Sequence, residues 1–489
     1  MDADTPIVRI GTGLVRGRSE DGIAVFRGMP YAAPPVAEHR FAAPADPRPW
    51  DGTRDAALFG PPPPQSQALP LLLEPADPAI GPDDWLTVNV WSPSLGAAGL
   101  PVMVWIHGGA YRLGTAAQAS YNGSELARRG VVVVTFNYRV AVEGFTQIPG
   151  MPPNRGLLDQ VAALRWVRDN IAGFGGDPAN VTLFGESAGA GSIAALLVMP
   201  SAKGLFGRAI AQSVPGLFFT RALADAIGAE LAREAGRPLA DVDPADLAVV
   251  GDKVRPPHHR DWGLAAHSDT AFAPVIDGEV LPSTPWRALA TGTAREIDLI
   301  TGANKDESRL FLELGGLRGT ITDAQAARLL DAILPDGDNR YRIAFSRASA
   351  EERYETGFTD WMFRVPVLHL AQTHAAAGGR TFLYDLSYQG GTMGACHGLD
   401  IPLVFGVYRE MGQFVLGSPP PESAVALGDL MRTEWVAFAT SGDPGWPPYA
   451  PGRRQTRIYD EQPTVASYPH PASMHLWDQQ RLAPYDLLR

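Results

Sequence analysis

The stretch VTLFGESAGAGSIAALLV, residues 181–198, decides how the rest of the chain is read. Its opening VTLF (181–184) is a short apolar run, the pattern of a strand covered on both faces. Its close, AGAGSIAALLV (188–198), is a small-residue helix. Between them GESAG (185–189) sets Ser187 on a strand-to-helix turn. Such a turn is strained and pushes the serine hydroxyl out at the carboxyl end of the strand. Gly185 and Gly189 flank it because a side chain there would clash across the tight bend. A G-x-S-x-G pattern alone arises by chance, and the strand before it and helix after it are what mark Ser187 as a nucleophile.

Outward from this turn, LTVNVW, PVMVWI and VVVVTF are β-branched runs bounded by Gly, Pro and Asn, which predicts further buried strands. LLDQVAALRWVRDNI (157–171) places Leu157, Val161, Leu164, Val167 and Ile171 at helical spacing, with Asn154 as N-cap and Gly173 as stop. GGDPAN reads as a turn before VTLF. Strand, helix and strand in this order predict a parallel βαβ unit. Strands return at DLITGAN (298–304) and TFLYDLSY (381–388), and DLMRTEWVAFATSG (429–442) predicts a closing helix. Residues 220–355 are more helical and polar. VRIGTGLVRGRS reads as a hairpin around Gly11 and Gly13. The Pro-rich stretch 30–64 excludes regular helix and central strand, leaving an irregular layer over the body or a linker. The fold class is therefore α/β.

Of 489 residues, 45% are hydrophobic and 19% charged, enough to bury a large core. The net charge of -12 repels nucleic acid and anionic lipid, so neither is expected as a partner. No run of about 18 apolar residues offers a membrane span. The opening MDADTPIVRI has two acids and no apolar core, unlike a signal peptide. Cys396 is the single cysteine, so no disulfide forms within the chain and a cytoplasmic location is expected. Nothing in the residues selects between a monomer and a homo-oligomer.

A serine hydroxyl needs a base, and acyl transfer needs donors for the oxyanion. HGGA (107–110) follows the strand PVMVWI, so the amides of Gly109 and Ala110, with that of Ala188, are the expected donors. His107 precedes these glycines and is expected to order their loop rather than titrate. The base should follow Ser187 in the chain with the acid between them. His258 and His259 lie in a polar stretch, His369 and His374 on a helical one, and His470 and His475 near the end. His397, in the small-residue loop GACHG after TFLYDLSY, is best placed over a sheet edge. For the acid, Glu307 and its neighbour Asp306 both follow the strand DLITGAN, and spacing alone leaves the choice open. No zinc-type spacing and no phosphate loop occurs, so neither metal nor cofactor is implied.

The sequence resembles the type-B carboxylesterase and cholinesterase family, in its bacterial para-nitrobenzyl-esterase-like branch. The matching stretches are FRGMPYAAPP, DDWLTVNVW, VWIHGGAY, VVVTFNYR, NRGLLDQVAALRWVRDNIAGFGGDPANVTLFGESAGA, FGRAIAQS, TGANKDES, GACHGLDIPLVFG and WVAFATSGDP. The resemblance implies one α/β-hydrolase domain over 1–489, with a large mostly parallel sheet and cap-like helical insertions at roughly 220–380. It implies a serine carboxylesterase acting on a small-molecule ester through the triad Ser187, Glu307 and His397, and it selects Glu307 over Asp306. It places oxyanion donors on Gly109, Ala110 and Ala188, and a surrounding polar shell on Glu186, Ser213 and Asp400.

Two positions depart from the family pattern of oxidising compartments: Trp85 and the prolines of FGPPPPQ stand where cysteines are usual. Ala110 replaces the third glycine of the common GGG, which keeps the backbone donor and alters pocket width. VAVEGF brings Glu143 to a position facing either the site or solvent, and Cys396 is expected to be a packed small residue. The pocket is expected to draw on Tyr111, Phe218, Phe219 and the 260–330 insertion, for an apolar acyl or alcohol group. The same triad would also serve lactone, carbamate or amide cleavage, or acyl transfer. A non-catalytic cholinesterase-like binding module is the rival from another class.

Overall fold

A computed structural model describes residues 5–65 and 83–488. The first residues of the acidic opening stretch lie outside them. The buried runs expected from the sequence form an 11-stranded mixed sheet. Its middle is parallel: Gln455–Tyr459, Thr381–Leu386, Asp298–Asn304, Arg208–Gln212, Gly176–Glu186, Leu100–Ile106 and Val132–Phe136 lie side by side in that order. Antiparallel strands continue it beyond both ends, Thr464–Ser467 at one and Thr87–Ser92 at the other. Because the middle strands run the same way, their carboxyl ends share one edge, where sites of open α/β sheets form.

Alternate side chains pack on opposite faces. Val102, Val104, Val132 and Val134 join the larger apolar layer, and Met103, Trp105 and Val133 the other. Both faces are therefore covered by helices, which is why the strands read as continuous apolar runs.

The helix predicted at 157–171 spans Arg155–Asn170 and continues as a 3-10 turn through Phe174. Leu157, Val161, Leu164, Val167 and Ile171 are all buried in the core. Asn154 precedes the helix but does not cap it by its side chain. It sits at φ 54 and its amide group bonds Val275 and Asp277 instead. Gly175, at φ 85, ends the segment where Gly173 was expected to. GDPAN is no turn outside the strand: the strand begins at Gly176, and the register slips between the pairs Leu100–Gly176 and Val102–Val181. An expansion of one strand against its partner looks like a turn in sequence.

The closing helix spans Glu422–Ser441, starting before the predicted 429 because Ala424 and Leu427 already face the core. The Pro-rich stretch packs as a layer: Tyr31, Ala32, Phe41 and Ala56 join the core, and Tyr31 donates to the Asn137 carbonyl. The linker alternative falls.

One buried ion pair ties layers together. Arg139 bonds Asp159 through its backbone N–H and two guanidinium nitrogens, with both side chains fully buried. Its remaining arm reaches the Ala42 carbonyl. Asp159→Ala leaves that guanidinium buried and unpaired, so a destabilisation of about 3–5 kcal/mol is expected in urea unfolding. A change below about 1 kcal/mol would contradict this role. No helix of the described residues is long and apolar enough to cross a membrane.

Candidate active site

Ser187 follows the last residue of the strand Gly176–Glu186 and opens the helix Ala188–Leu196. Its backbone is held at φ 57 and ψ −125, a region L-residues rarely occupy. The neighbours show why glycines are required. A Cβ on Gly185 would lie 2.6 Å from the Ile106 carbonyl oxygen, and one on Gly189 would lie 1.9 Å from it. The Ser187 N–H donates to the Gln212 carbonyl at 2.9 Å, which ties the turn to the adjacent strand.

Two loops at the same edge bring His397 and Glu307 together. His397 Nδ1 lies 2.6 Å from Glu307 Oε2. The other carboxylate oxygen, Oε1, accepts from Ser213 Oγ at 2.6 Å and from the Asn304 N–H at 2.8 Å. The loops are also sewn to each other: Asn304 Nδ2 donates to the Cys396 carbonyl at 2.8 Å, and the Asp306 N–H to that of Ala395 at 2.9 Å. The neighbouring Asp306 points elsewhere, accepting from Gln389 and the Ala395 N–H and pairing with Arg309. Of the two adjacent acids, only Glu307 meets the imidazole.

Ser213 thus holds the acid rather than the imidazole loop. Asp400, at the start of the helix Asp400–Phe405, accepts from Gln212 Nε2 at 2.6 Å and Tyr384 OH at 3.3 Å. The rings of Phe311 and Phe363 pack against His397 at 5.0 and 4.5 Å. Asn304 and Phe363 were not singled out from the sequence. Asn304 had a signal, a polar residue at the carboxyl end of a buried strand. Phe363 had none, because it lies on a π-helical stretch, Asp360–Arg364, that helical spacing does not reveal.

His397 Nε2 faces Glu186 Oε1 at 3.1 Å. Among the described residues no hydrogen bond joins it to Ser187 Oγ, although the triad implied by the resemblance calls for that contact. Such bonds commonly tighten only when a ligand is bound. Burial pushes the Glu186 carboxyl up to about 8. Burial alone would lower the His397 pKa, but the charges of Glu186 and Glu307 outweigh it and hold it at about 9. The two groups act on each other: the His397 charge pulls the Glu186 carboxyl down, and the Glu186 charge pulls the imidazole up.

The loop after Leu100–Ile106 runs beside Ser187. A Cβ on Gly108 would lie 3.1 Å from that of Ser187, and one on Gly109, at φ 111, would lie 2.1 Å from the Leu113 carbonyl oxygen. Ala110 takes φ 54. Ala188 N–H, in the first helical turn, has no carbonyl four residues back within its helix. His107 is fully buried, with Nδ1 2.9 Å from the Gly108 carbonyl and its ring stacked on Tyr138 at 4.3 Å. Burial lowers its pKa to about 4, so it is neutral and orders the loop.

Gly108, Gly109, Ala110, Ser187, Glu186 and His397 all line one cavity of about 270 Å³. Its wall does not include Tyr111, Phe218 or Phe219. Each is core: Tyr111 packs on Phe145, Phe218 on Trp286 and Phe219 near Tyr485. These aromatics neighbour the motifs in sequence, but their side chains turn inward. The apolar wall comes instead from Leu113, Leu310, Phe311, Leu314, Ile401 and Met411. Glu143 faces neither site nor solvent. It is buried and paired with Arg40 at 2.8 Å. Cys396 is buried, and burial raises its thiol pKa, so it stays protonated.

Residues 4–477 match the model of the carboxylesterase family. The chain is 35% identical to a para-nitrobenzyl esterase of Bacillus subtilis, over 95% of this chain and 96% of that protein. It is 36% identical to a fumonisin B1 esterase of Sphingopyxis macrogoltabida, over 88% and 81%. A solved para-nitrobenzyl (PNB) esterase structure superimposes with a TM-score of 0.85 at 33% identity, covering 96% of this chain and 99% of that one.

Proposed function

The chain belongs to the carboxylesterase family and is a carboxylic ester hydrolase with the α/β-hydrolase fold, and on that premise we propose that Ser187, His397 and Glu307 carry the reaction through an acyl-enzyme. The observation that carries this reading is the 2.6 Å contact of Glu307 with His397 Nδ1 in the cavity that Ser187 lines. His397 takes the Ser187 proton as the hydroxyl attacks the ester carbonyl and passes it to the leaving alcohol. Glu307 fixes the imidazole so that Nε2 is the accepting nitrogen and stabilises its charged form. The amides of Gly109, Ala110 and Ala188 receive the oxyanion, each such donor being worth about 3–4 kcal/mol. Water then attacks the acyl-enzyme by the same steps in reverse order.

We read the chain as one unit over 1–489, with the insertions at roughly 220–380 covering the site. With Cys396 as its single cysteine, it is assigned to the cytoplasm.

The test is p-nitrophenyl butyrate hydrolysis before and after a serine-directed phosphonate. The expected result is full loss of turnover with one adduct per chain. Turnover that survives full labelling would overturn the reading.

The acid pair adds a pH prediction. The base must be neutral to accept a proton, so a raised imidazole pKa means that kcat/KM climbs as pH rises through the alkaline range and falls below it. Glu186→Gln removes the largest influence raising that pKa. Its acid limb should move to lower pH in a kcat/KM profile, and an unmoved limb would show that Glu186 does not hold the proton.

A further inference from the structure

Gly109, Ala110 and Tyr111 follow one another at φ 111, 54 and 57. Such backbone is costly wherever a Cβ is present, as it is at Ala110 and Tyr111. The first peptide is held within the loop: the Gly109 carbonyl accepts from the Arg112 and Leu113 N–H groups at 2.9 and 3.0 Å. A trans peptide points its N–H opposite to its carbonyl, so these two bonds also aim the Ala110 N–H. The next peptide is held from outside the loop. The Ala110 carbonyl accepts from Thr270 Oγ1 at 3.0 Å, a residue 160 positions away in the chain. Thr270 is buried, and its hydroxyl has one proton to give. The Phe272 N–H donates to Oγ1 at 3.1 Å, and the rival acceptor, the Phe272 carbonyl, is farther at 3.4 Å, so the proton goes to Ala110. Ser268 Oγ anchors Thr270 in turn, donating to its carbonyl at 3.1 Å. The peptides on both sides of the Ala110 Cα are therefore fixed.

We propose that Thr270 is a positioning residue for the oxyanion donors: its hydroxyl holds the Ala110 carbonyl and thereby keeps the Ala110 N–H aimed at the ester oxygen. This rests on the proposed role of Gly109 and Ala110 as donors. Ala110 lines the cavity and Thr270 does not, so Thr270 acts through Ala110 and not on the ester.

The methyl group at position 110 is what makes the clamp matter. A glycine takes φ 54 freely, whereas an alanine there is drawn toward the right-handed region. Without the Thr270 hydroxyl, the peptide between Ala110 and Tyr111 can turn to relieve that strain. The N–H on the other side of the Ala110 Cα then shifts with it, and the donor no longer meets the oxyanion squarely.

The test compares p-nitrophenyl butyrate hydrolysis with inhibition by butyl trifluoromethyl ketone, whose adduct on a serine carries the oxyanion. Rates are taken per site titrated with phosphonate, so that unfolded chain does not count. Thr270→Val is expected to lower kcat about tenfold, less than the loss of a whole donor, because the donor is displaced and not deleted. The Ki of the ketone should rise by about the same factor, while KM stays within about twofold. Thr270→Ser keeps the hydroxyl and should regain most of the loss. Thr270→Val should cost less in a chain that also carries Ala110→Gly than in the parent, since glycine needs no clamp. Thr270→Ala, which leaves room where valine sets a methyl against two polar groups, gives the same comparison should the valine variant fail to fold. Unchanged kcat and Ki without the hydroxyl, a serine variant as slow as valine, or equal costs in the two backgrounds would overturn the proposal. A ketone that fails to inhibit the parent would overturn the assignment of the donors themselves, a result distinct from any effect of Thr270.

Discussion

Ser187→Ala is expected to lower kcat about a millionfold, the typical loss when a triad serine is removed. The substitution deletes one oxygen at a position where the backbone, at φ 57, is dictated by the strand-to-helix turn and by the glycines around it. Alanine meets the same backbone strain as serine, and Ser187 Oγ makes no hydrogen bond to another described residue, so unfolding should be nearly unchanged. The variant should neither release a burst of p-nitrophenol nor gain mass with a phosphonate. Activity within about a hundredfold of the parent would place the nucleophile elsewhere.

Glu307→Gln is expected to lower kcat about ten-thousandfold, as other triads behave when the acid becomes an amide. The reason lies in the donors that already surround this carboxylate. Ser213 Oγ and the Asn304 N–H both donate to Oε1. A glutamine satisfies them only by placing its carbonyl oxygen there, which turns its NH2 group toward His397 Nδ1. That nitrogen must then accept, so the ring proton moves to Nε2, and Nε2 can no longer take a proton from Ser187. The reverse orientation would set an NH2 group against two donors. Measured kcat should fall far more than KM rises. A loss below about tenfold would mean that the contact with Glu307 does not set the tautomer.

Much of this arrangement was legible before any coordinates. Parallel strands covered on both faces are written as short runs rich in apolar and β-branched residues, so the sheet and its carboxyl edge could be read from VVVVTF, DLITGAN and TFLYDLSY. Strain and close approach demand glycine, so Gly185 and Gly189 announced the turn at Ser187. Pairing across the edge was less visible. Residues 306 and 307 are adjacent acids, and only a backbone turn that buries one of them distinguishes the pair. In the structure, Glu307 is fully buried against His397, while Asp306 meets Arg309 and Gln389.

The cavity wall was misread because sequence proximity says nothing about side-chain direction. Tyr111 follows the Gly109–Ala110 loop directly, yet its ring turns into the core beside Phe145. The wall is assembled from Leu310 and Phe311, and from Ile401 and Met411, which stand far apart in the chain. The charged part of the wall was likewise hidden. Arg255 and Asp269 line the cavity from a polar insertion, where Thr270 bonds the Ala110 carbonyl.

Nε2 of His397 faces Glu186, and the proposed reaction requires this nitrogen to serve Ser187. The most direct measurement is a crystal structure of the phosphonate adduct. The account predicts phosphorus bonded to Ser187 Oγ and the phosphonyl oxygen about 3 Å from the amides of Gly109, Ala110 and Ala188. His397 Nε2 should then lie within hydrogen-bonding reach of Ser187 Oγ. An adduct on another residue, or an oxygen turned away from those amides with Nε2 still held by Glu186, would contradict it.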